Sequence, residues 1–367
     1  MPRVGLCLGR ALVMSARLTR AHLEALALFD HVYVIDSTNF NLHPALAPQF
    51  KGNGGGASPA AMRIQFLFDY RTGIMQVEIG DVRLSDTDTL ARLVNDQRLP
   101  MDGICLFLAD LGYFKATTFA QIRTRPGRHF LSKLQFGVSL SNPDSTALDL
   151  RALLKNKPDC FDLPVRMGDT PCRLVGKRLP DAVVNRRIRK ANEASESKSR
   201  QISDQYRLFL HYALFVTSLP PEFAMDQLFA LYRIRWQVEL VFKVWKSILN
   251  IHRVRSAKSN RVFCEVYGKL TIAVLVSSLC AAACACLDGL SISAHKAARC
   301  VRAVATNWAL AIMHGTAAHE TFVAGLIRTL ARLCRKTRQA SKPTIEEILS
   351  VALTKVVRRL DRSRLLA

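Results

Sequence analysis

The sequence predicts an α/β protein in which short apolar strands alternate with helices. Apolar runs typical of strands occupy residues 31–36, 63–70, 74–82, 103–109 and 129–136. The tripeptide Arg71-Thr72-Gly73 separates the second and third runs, and its glycine suits a hairpin turn. Residues 85–98 and 113–123, between the later runs, have the apolar spacing of helices. A hairpin followed by alternating helices and strands indicates a layered α/β arrangement.

Composition divides the chain into five segments. We expect a short helical segment at 1–30, the first part of an α/β core at 31–137, and a mainly β insertion at 138–218. Within the insertion, 161–166, 172–179 and 210–218 are predicted strands, and 185–203 is a predicted mobile basic loop. A second part of the core follows at 219–290, where Pro220 and Pro221 suit the first turn of a long helix. A basic, helical C-terminal region completes the chain at 291–367.

The charge balance indicates a polyanionic partner. The chain has 52 Lys and Arg residues against 29 Asp and Glu residues, a net charge of +23 at pH 7. Such an excess is unusual for a metabolic enzyme and is typical of proteins that bind DNA or RNA. A generic basic protein, such as a ribosome-associated factor, is the alternative.

Cysteine usage and hydropathy indicate a cytoplasmic protein. None of the ten cysteines forms a C-x-x-C pair or a Cys/His cluster with zinc spacing, so we interpret them as reduced core residues. Residues 270–287 are 18 uncharged residues, at the lower limit for crossing a membrane. Their many Ala, Ser and Cys residues favour a buried helix and no membrane partner, although a membrane-attached basic protein is an alternative.

The most informative pattern lies between residues 232 and 246. On an ideal helix, Tyr232, Arg235, Glu239 and Lys246 fall within about 60° of one face. Lys243 and Arg253 lie in or beside this wedge. The opposite face is apolar, with Ile234, Val238, Val241, Trp245 and Ile248. A single carboxylate among cations suits a metal ion held against a nucleic-acid backbone.

Two further acids follow apolar strands and could join this carboxylate. Asp36 ends the first predicted strand and Asp110 ends the fourth. Together with Glu239 they form a set of hard oxygen ligands, which selects Mg²⁺ or Mn²⁺. Two such ions about 4 Å apart can drive phosphodiester chemistry. Each acid taken alone has an ordinary alternative, since strand-terminal Asp residues often cap turns and helical Glu residues are often solvated.

A basic run adds a second candidate surface for nucleic acid. It comprises Arg186, Arg187, Arg189 and Lys190 within the predicted loop. Contact with DNA phosphates and a solvated surface loop are both consistent with this pattern.

These motifs resemble those of insertion-sequence transposases of the DDE class, in the IS-four family with its Tyr-Arg-Glu-Lys signature. The resemblance depends on IDST at 35–38, the glycine-containing stretch at 54–73, ADLGYF at 109–114 and YRIRWQVELVFKVWKS at 232–247. It covers about residues 31–280. It implies an RNase H-like catalytic core, interrupted by the β-rich insertion between Asp110 and Glu239.

The resemblance also implies residue roles and a reaction. Asp36, Asp110 and Glu239 would be the catalytic ligands of two Mg²⁺ or Mn²⁺ ions, and Tyr232, Arg235 and Lys246 would contact DNA phosphates. The implied reaction is hydrolysis at a transposon end, followed by attack of the freed 3′-hydroxyl on target DNA. The implied partners are transposon-end and target DNA, bound by a homodimer. Phe161, His211 and Tyr212 are candidates for stacking a flipped base.

The chain departs from the family pattern in two places. Leu111 stands where the family often has Arg, so a phosphate contact is expected to be missing. The first Asp is at position 36, so we expect a truncated end-binding region. The alternatives to an active transposase are therefore a catalytically silent DNA-binding remnant and a non-transposing RNase H-like nuclease.

Overall fold

The structure is a computed structural model. It describes residues 26–54, 58–72, 75–95, 99–156, 159–196, 199, 201–285, 292–335 and 363–366. The predicted N-terminal helical segment at 1–30 lies almost entirely outside the described residues. So does most of the basic tail beyond residue 335.

An eight-stranded mixed sheet forms the centre of the molecule, in the order β3-β2-β1-β4-β5-β8-β7-β6. Its first five strands are β1 (His31–Asn41), β2 (Ala61–Asp69), β3 (Met75–Gly80), β4 (Cys105–Ala109) and β5 (Arg128–Lys133). β1, β4 and β5 run parallel. β2 pairs antiparallel with β1, and β3 pairs antiparallel with β2, which completes the predicted hairpin. The α/β class predicted from the sequence is confirmed.

The first strand is longer than predicted. β1 continues five residues past Asp36 to Asn41, because its far half pairs with β2 alone, from Asp36↔Phe66 to Asn41↔Ala61. Its parallel pairing with β4 ends at Val34↔Leu108. Asp36 therefore lies within a strand, just beyond the point where β4 stops.

The segment 138–218 is more mixed than predicted. Its strands β6 (Cys160–Met167), β7 (Thr170–Arg178) and β8 (Tyr212–Thr217) extend the central sheet. It also contains three helices, α3 (Leu150–Lys155), α4 (Asp181–Glu196) and α5 (Asp204–Leu210). The prediction of a mobile loop at 185–203 is wrong for its first half, because the basic run lies on α4. The pattern was missed because polar residues dominate this exposed helix, leaving almost no apolar stripe.

Helices cover both faces of the sheet. Strand alternation separates two cores: Val32 and Val34 of β1 face one side, whereas Tyr33 and Ile35 face the other. The Tyr33 side packs against α1 (Asp86–Asn95) and α2 (Ala116–Arg123). The Val34 side packs against the helices that follow residue 224.

The long helix predicted to begin at Pro220 and Pro221 is in fact two helices, α6 (Met225–Arg233) and α7 (Trp236–Ser247). Ile234 and Arg235 keep helical backbone angles, but hydrogen bonds between residues three apart tighten the chain there. The prolines precede α6 rather than open it. Gln227 instead accepts a hydrogen bond from the Ala224 amide at 2.6 Å and closes the helix start.

The uncharged stretch after residue 269 belongs to α8 (Ser259–Ala285). One face of α8 is buried along its length, from Val262, Val266 and Leu270 in the main core to Leu279 in a smaller cluster. Among the described helices, α8 alone is long and apolar enough to cross a membrane, by length and composition. One face of this helix lies in the core as predicted, but only 33% of its apolar stretch is buried, and Tyr267, Ile272 and Leu275 are exposed.

The described C-terminal part is helical, as predicted. The smaller cluster joins α8 to α9 (Ala294–Ala303) and α11 (Thr316–Leu333), with α10 (Ala305–Met313) between them. A final short helix, α12 (Ser363–Leu366), returns to the sheet, where the Leu365 carbonyl lies 2.8 Å from His129 Nε2.

Candidate active site

Two of the predicted acids lie side by side because of strand register. The parallel pair Val34↔Leu108 is the last pair formed between β1 and β4. Two residues further along each strand are Asp36 and Asp110, which therefore stand at one level and on one face of the sheet. Asp110 makes no capping hydrogen bond to the turn that follows it. Its carboxylate is thus left to face the helices on that side.

The tight turn between α6 and α7 brings a cation against both acids. Arg235 Nη1 lies 3.3 Å from Asp36 Oδ2, and Arg235 Nε lies 3.7 Å from Asp110 Oδ1. One helical turn later, Glu239 accepts a hydrogen bond from Arg235 Nη2 at 2.5 Å. The three predicted acids, from distant parts of the chain, thus converge on one guanidinium.

Tyr232 completes this cluster from the end of α6. Its hydroxyl lies 3.2 Å from Asp110 Oδ1 and 3.3 Å from the Ala109 carbonyl. Its ring is buried and packs edge-on against Phe215, with centroids 4.8 Å apart. Burial, followed by the charge of Asp110, raises the pKa of Tyr232, so the hydroxyl stays protonated and donates. Tyr232 therefore holds Asp110 rather than facing solvent.

The three acids differ in how far they are exposed to solvent. The Asp36 side chain is 18% exposed, against 36% for Asp110 and 34% for Glu239. Burial raises the pKa of Asp36 to about 6, and the charges of Asp110 and Glu239 add to this effect. Arg235 and the Ser37 amide, which donates to Asp36 Oδ1 at 2.8 Å, oppose the rise only in part.

Arg235 remains charged despite its burial. Burial lowers the pKa of Arg235, but Asp110, Tyr232, Glu239 and Asp36 together outweigh that effect and raise it. Its Nε is a buried donor without a hydrogen-bond partner in the part of the chain that the structure describes. Among the described residues, no group of three or more His, Cys, Asp or Glu side chains is placed to hold one metal ion. The guanidinium separates the three carboxylates.

The other residues predicted on the signature face are not part of this cluster. Lys243 and Lys246 lie on α7 beyond Glu239, exposed and half-buried respectively. Arg253 is exposed in the turn that follows α7. The apolar side of α7 is placed as predicted, with Val238 and Trp245 in the main core.

The basic run has two kinds of member. Arg186, Arg189 and Lys190 are exposed on α4, and Arg189 Nε lies 3.6 Å from Glu193. Arg187 is instead half-buried and donates to the carbonyls of Leu210 and Tyr212, at 3.2 and 2.8 Å. Arg187 therefore joins α4 to the start of β8.

The aromatic candidates for base stacking are mostly enclosed. Phe161 is buried against Gly176, and Tyr212 is buried with its hydroxyl donating to the Leu154 carbonyl at 2.9 Å. His211 is half-exposed. In this structure Phe161 and Tyr212 belong to the core.

One residue beside the cluster was missed from the sequence. Lys133 ends β5, and its ammonium lies 5.5 Å from the centre of the Tyr232 ring. Burial lowers the pKa of Lys133, while the carboxylates of Asp110 and Glu239 act to raise it. No signal in the sequence pointed to Lys133, because it lies inside the predicted strand 129–136, which the structure ends at Lys133.

Comparison with known proteins supports the family resemblance. The family model described as "Transposase DDE domain" matches residues 28–275. The chain is 30% identical over 280 residues to the transposase for insertion sequence element IS231F of Bacillus thuringiensis subsp. israelensis, a match covering 70% of this chain. It is also 30% identical over 274 residues to the transposase for insertion sequence element IS1151 of Clostridium perfringens, covering 68% of this chain. The matches span 57% of the length of each relative.

A solved structure overlaps part of the fold. It is a cryo-EM structure of the piggyBac transposase synaptic complex with hairpin DNA, with a TM-score of 0.45 and 8% sequence identity. The overlap covers 89% of this chain and 57% of that one.

Proposed function

Since this chain belongs to the DDE transposase family, we propose that it cuts DNA at the ends of a mobile element and joins the freed 3′-hydroxyl to target DNA. The observation that carries this proposal is the convergence of Asp36, Asp110 and Glu239 around Arg235. These acids come from two strands and a helix, and more than a hundred residues separate Asp110 from Glu239. Such convergence is expected of an active site, because no local capping role requires it.

We propose that the first five strands, α1, α2, α6 and α7 form the RNase H-like core implied by the family resemblance. The register of β1 and β4, which sets Asp36 beside Asp110, supports this assignment. So does the position of α7, whose buried face holds Glu239 above the same sheet face. β6 to β8 and α3 to α5 would then be the insertion between the second and third acids.

We propose Mg²⁺ or Mn²⁺ as the cofactor, with Asp36, Asp110 and Glu239 as its ligands. The donor set suits such ions, because it consists of carboxylate oxygens, which hard divalent cations prefer. When bound, the ions would activate the attacking oxygen and stabilise the leaving one. Arg235 offsets part of the negative charge of the three acids. Its Nε forms no hydrogen bond with the described residues and would be a donor for a phosphate oxygen.

We propose that DNA approaches along α7 and α4. Lys243, Lys246 and Arg253 would contact the backbone near the cut, and the exposed cations of α4 would contact it further away. The net charge of +23 supports a polyanionic partner. Within the cluster, Tyr232 would position Asp110. Because the Tyr232 hydroxyl is buried, Arg235, Lys243 and Lys246 would contact the phosphates instead. A homodimer assembled on DNA remains a proposal from the family resemblance.

The test is cleavage of labelled DNA that carries the element's own ends, with Mg²⁺ or Mn²⁺, by this chain and its Glu239→Gln variant. We expect end-specific nicking that the variant loses, while DNA binding persists. Glu78→Gln is a matched control, because Glu78 pairs with Arg92 on the exposed edge of the sheet. Retained cleavage in Glu239→Gln would contradict the assignment of Glu239 to the active site. Binding without cleavage by the unaltered chain would favour the silent remnant, and cutting that needs no paired ends would favour a nuclease.

A further inference from the structure

Strand register places a third charged residue in line with the two strand acids. β4 and β5 are parallel and paired as far as Ala109↔Ser132. The next residues are Asp110 and Lys133, so Asp36, Asp110 and Lys133 occupy one row across three neighbouring parallel strands. A row of this kind places three side chains at one level, about 5 Å from strand to strand.

The row faces one side of the sheet. Val34, Leu108 and Leu131, each two residues before a member of the row, all lie in the main core beneath α6 and α7. Because side chains alternate along a strand, Asp36, Asp110 and Lys133 point to that same side. The adjacent Ser132 is fully buried and points to the opposite side. Lys133 is therefore directed towards the cluster and away from the second core.

The Lys133 ammonium lies among charged side chains but is not paired with any of them in the described part of the chain. Its Nζ lies above the Tyr232 ring, whose hydroxyl bonds to Asp110. Asp110 and Glu239 lie within electrostatic range, as do Arg235 and Arg187. Yet in the part of the chain described here Lys133 forms no ion pair, whereas Arg235 holds all three acids. Lys133 is half-buried and has the Tyr232 ring as its neighbour, but no carboxylate pairs with its charge among the described residues. A purely structural role would be expected to supply such a counter-charge.

We propose that Lys133 binds the phosphate group that is cut, and is a catalytic residue of this site in addition to the three acids. This inference rests on the proposed function. The acids would hold metal ions on one side of the scissile phosphate, and Lys133 would contact a non-bridging oxygen from the β5 side. A fixed cation there would stabilise the negative charge that builds on the phosphate during displacement. Tyr232 would hold the ammonium in place through its ring.

The test compares Lys133→Ala and Lys133→Arg with the unaltered chain. Lys177→Ala is the control, because Lys177 lies on β7, is exposed and pairs only loosely with Asp226, at 3.7 Å. The first readout is affinity for a DNA duplex carrying the element's end, measured in Ca²⁺ over a range of salt concentrations. We expect Lys133→Ala to weaken binding and to reduce the salt slope by about one, and Lys177→Ala to leave both unchanged.

The second readout is single-turnover cleavage in Mg²⁺. We expect Lys133→Ala to slow cleavage by roughly tenfold to a hundredfold, with partial recovery in Lys133→Arg. On DNA whose scissile phosphate is replaced by a neutral methylphosphonate, the unaltered chain and Lys133→Ala should differ by less than about threefold, because the charge that Lys133 meets is gone. A thermal unfolding midpoint within a few degrees of the unaltered chain would show that Lys133→Ala still folds.

The outcomes separate the inference from the proposed function. An unaltered chain that binds DNA without cutting it would refute the proposed function, while the salt slope would still decide whether Lys133 contacts a phosphate. An unchanged slope in Lys133→Ala overturns the inference. An equal loss of cleavage on charged and neutral phosphates also overturns it, and so does a loss that merely follows unfolding, because both indicate a structural role.

Discussion

At the scale of single residues, Arg235 is the side chain on which the candidate site depends. It contacts Asp36, Asp110 and Glu239 while its own side chain is only 9% exposed. Three carboxylates this close repel one another, and a buried guanidinium offsets that repulsion. The pattern Tyr-x2-Arg-x3-Glu places Arg235 one turn before Glu239, so the helix carries the acid together with its counter-charge.

The negative charge of Asp36 destabilises the folded protein, and the size of this effect depends on pH. Because burial and neighbouring acids raise the pKa of Asp36 to about 6, the fold disfavours its charged form. In the unfolded chain an Asp titrates near 3.9. The charge of Asp36 therefore destabilises the protein fully above pH 6, and this destabilisation is relieved as pH falls from about 6 towards 4.

We predict that Asp36→Asn raises the free energy of unfolding at pH 7.5 in the presence of EDTA. The gain should shrink as pH is lowered through 6, because the unaltered Asp36 then becomes neutral as well. Urea denaturation of both proteins at pH 5 and pH 7.5 measures the difference. A variant less stable than the unaltered chain at pH 7.5 would show that the bond to Arg235 outweighs the burial of the charge.

At the scale of elements, α7 is held on the sheet by aromatic packing. Trp245 is 1% exposed, and its ring meets Phe66 of β2 edge-on at 5.2 Å and Phe242 at 5.5 Å. The same helix exposes Trp236, which is 56% accessible and lies next to Arg235. One tryptophan thus fixes the height of Glu239 above the sheet, while the other faces solvent.

We predict that Trp245→Ala lowers the free energy of unfolding by about 3–5 kcal/mol, the usual cost of removing a large buried aromatic side chain. Trp236→Ala is the matched control on the same helix and should change it by less than about 1 kcal/mol. Urea denaturation monitored by far-UV circular dichroism gives both values. Similar costs for the two variants would contradict the packing described here.

At the scale of the whole molecule, the basic residues that give the net charge of +23 include both structural and solvent-exposed cations. Arg187 of α4 is bound to two carbonyls and joins the helix to β8, whereas Arg186, Arg189 and Lys190 are exposed. The run that looks uniform in the sequence therefore combines a structural arginine with three surface cations. Of this run, the three surface cations are the ones positioned to reach a DNA backbone.

We predict that changing Arg186, Arg189 and Lys190 together to Ala weakens DNA binding to a similar degree for every sequence. The slope of log affinity against log salt concentration should fall by about two to three, because each lost phosphate contact removes about 0.9. Fluorescence anisotropy on two unrelated duplexes provides the measurement. A loss confined to one duplex, or an unchanged slope, would place the binding surface elsewhere.

The sequence alone was sufficient for the local parts of this picture. Period-two and apolar runs identified seven of the eight strands to within a few residues and placed β1 correctly at its start. They did so because burial imposes those patterns residue by residue. Three acids and the Arg235–Glu239 spacing were also readable, because helix periodicity and strand ends are local properties. The helix at 181–196 was missed, because an exposed helix needs no apolar stripe.

Only the tertiary structure decided which of these residues meet. Strand order and register set Asp36, Asp110 and Lys133 in one row, and no local pattern specifies which strand lies beside which. The tight turn at Ile234–Arg235 was likewise invisible, because both residues keep helical backbone angles while the hydrogen-bond spacing shortens. Burial also gave similar arginines different partners: Arg187 binds the carbonyls of Leu210 and Tyr212, whereas Arg235 contacts the three acids. These outcomes depend on long-range packing, in which a side chain's environment comes from residues distant in sequence.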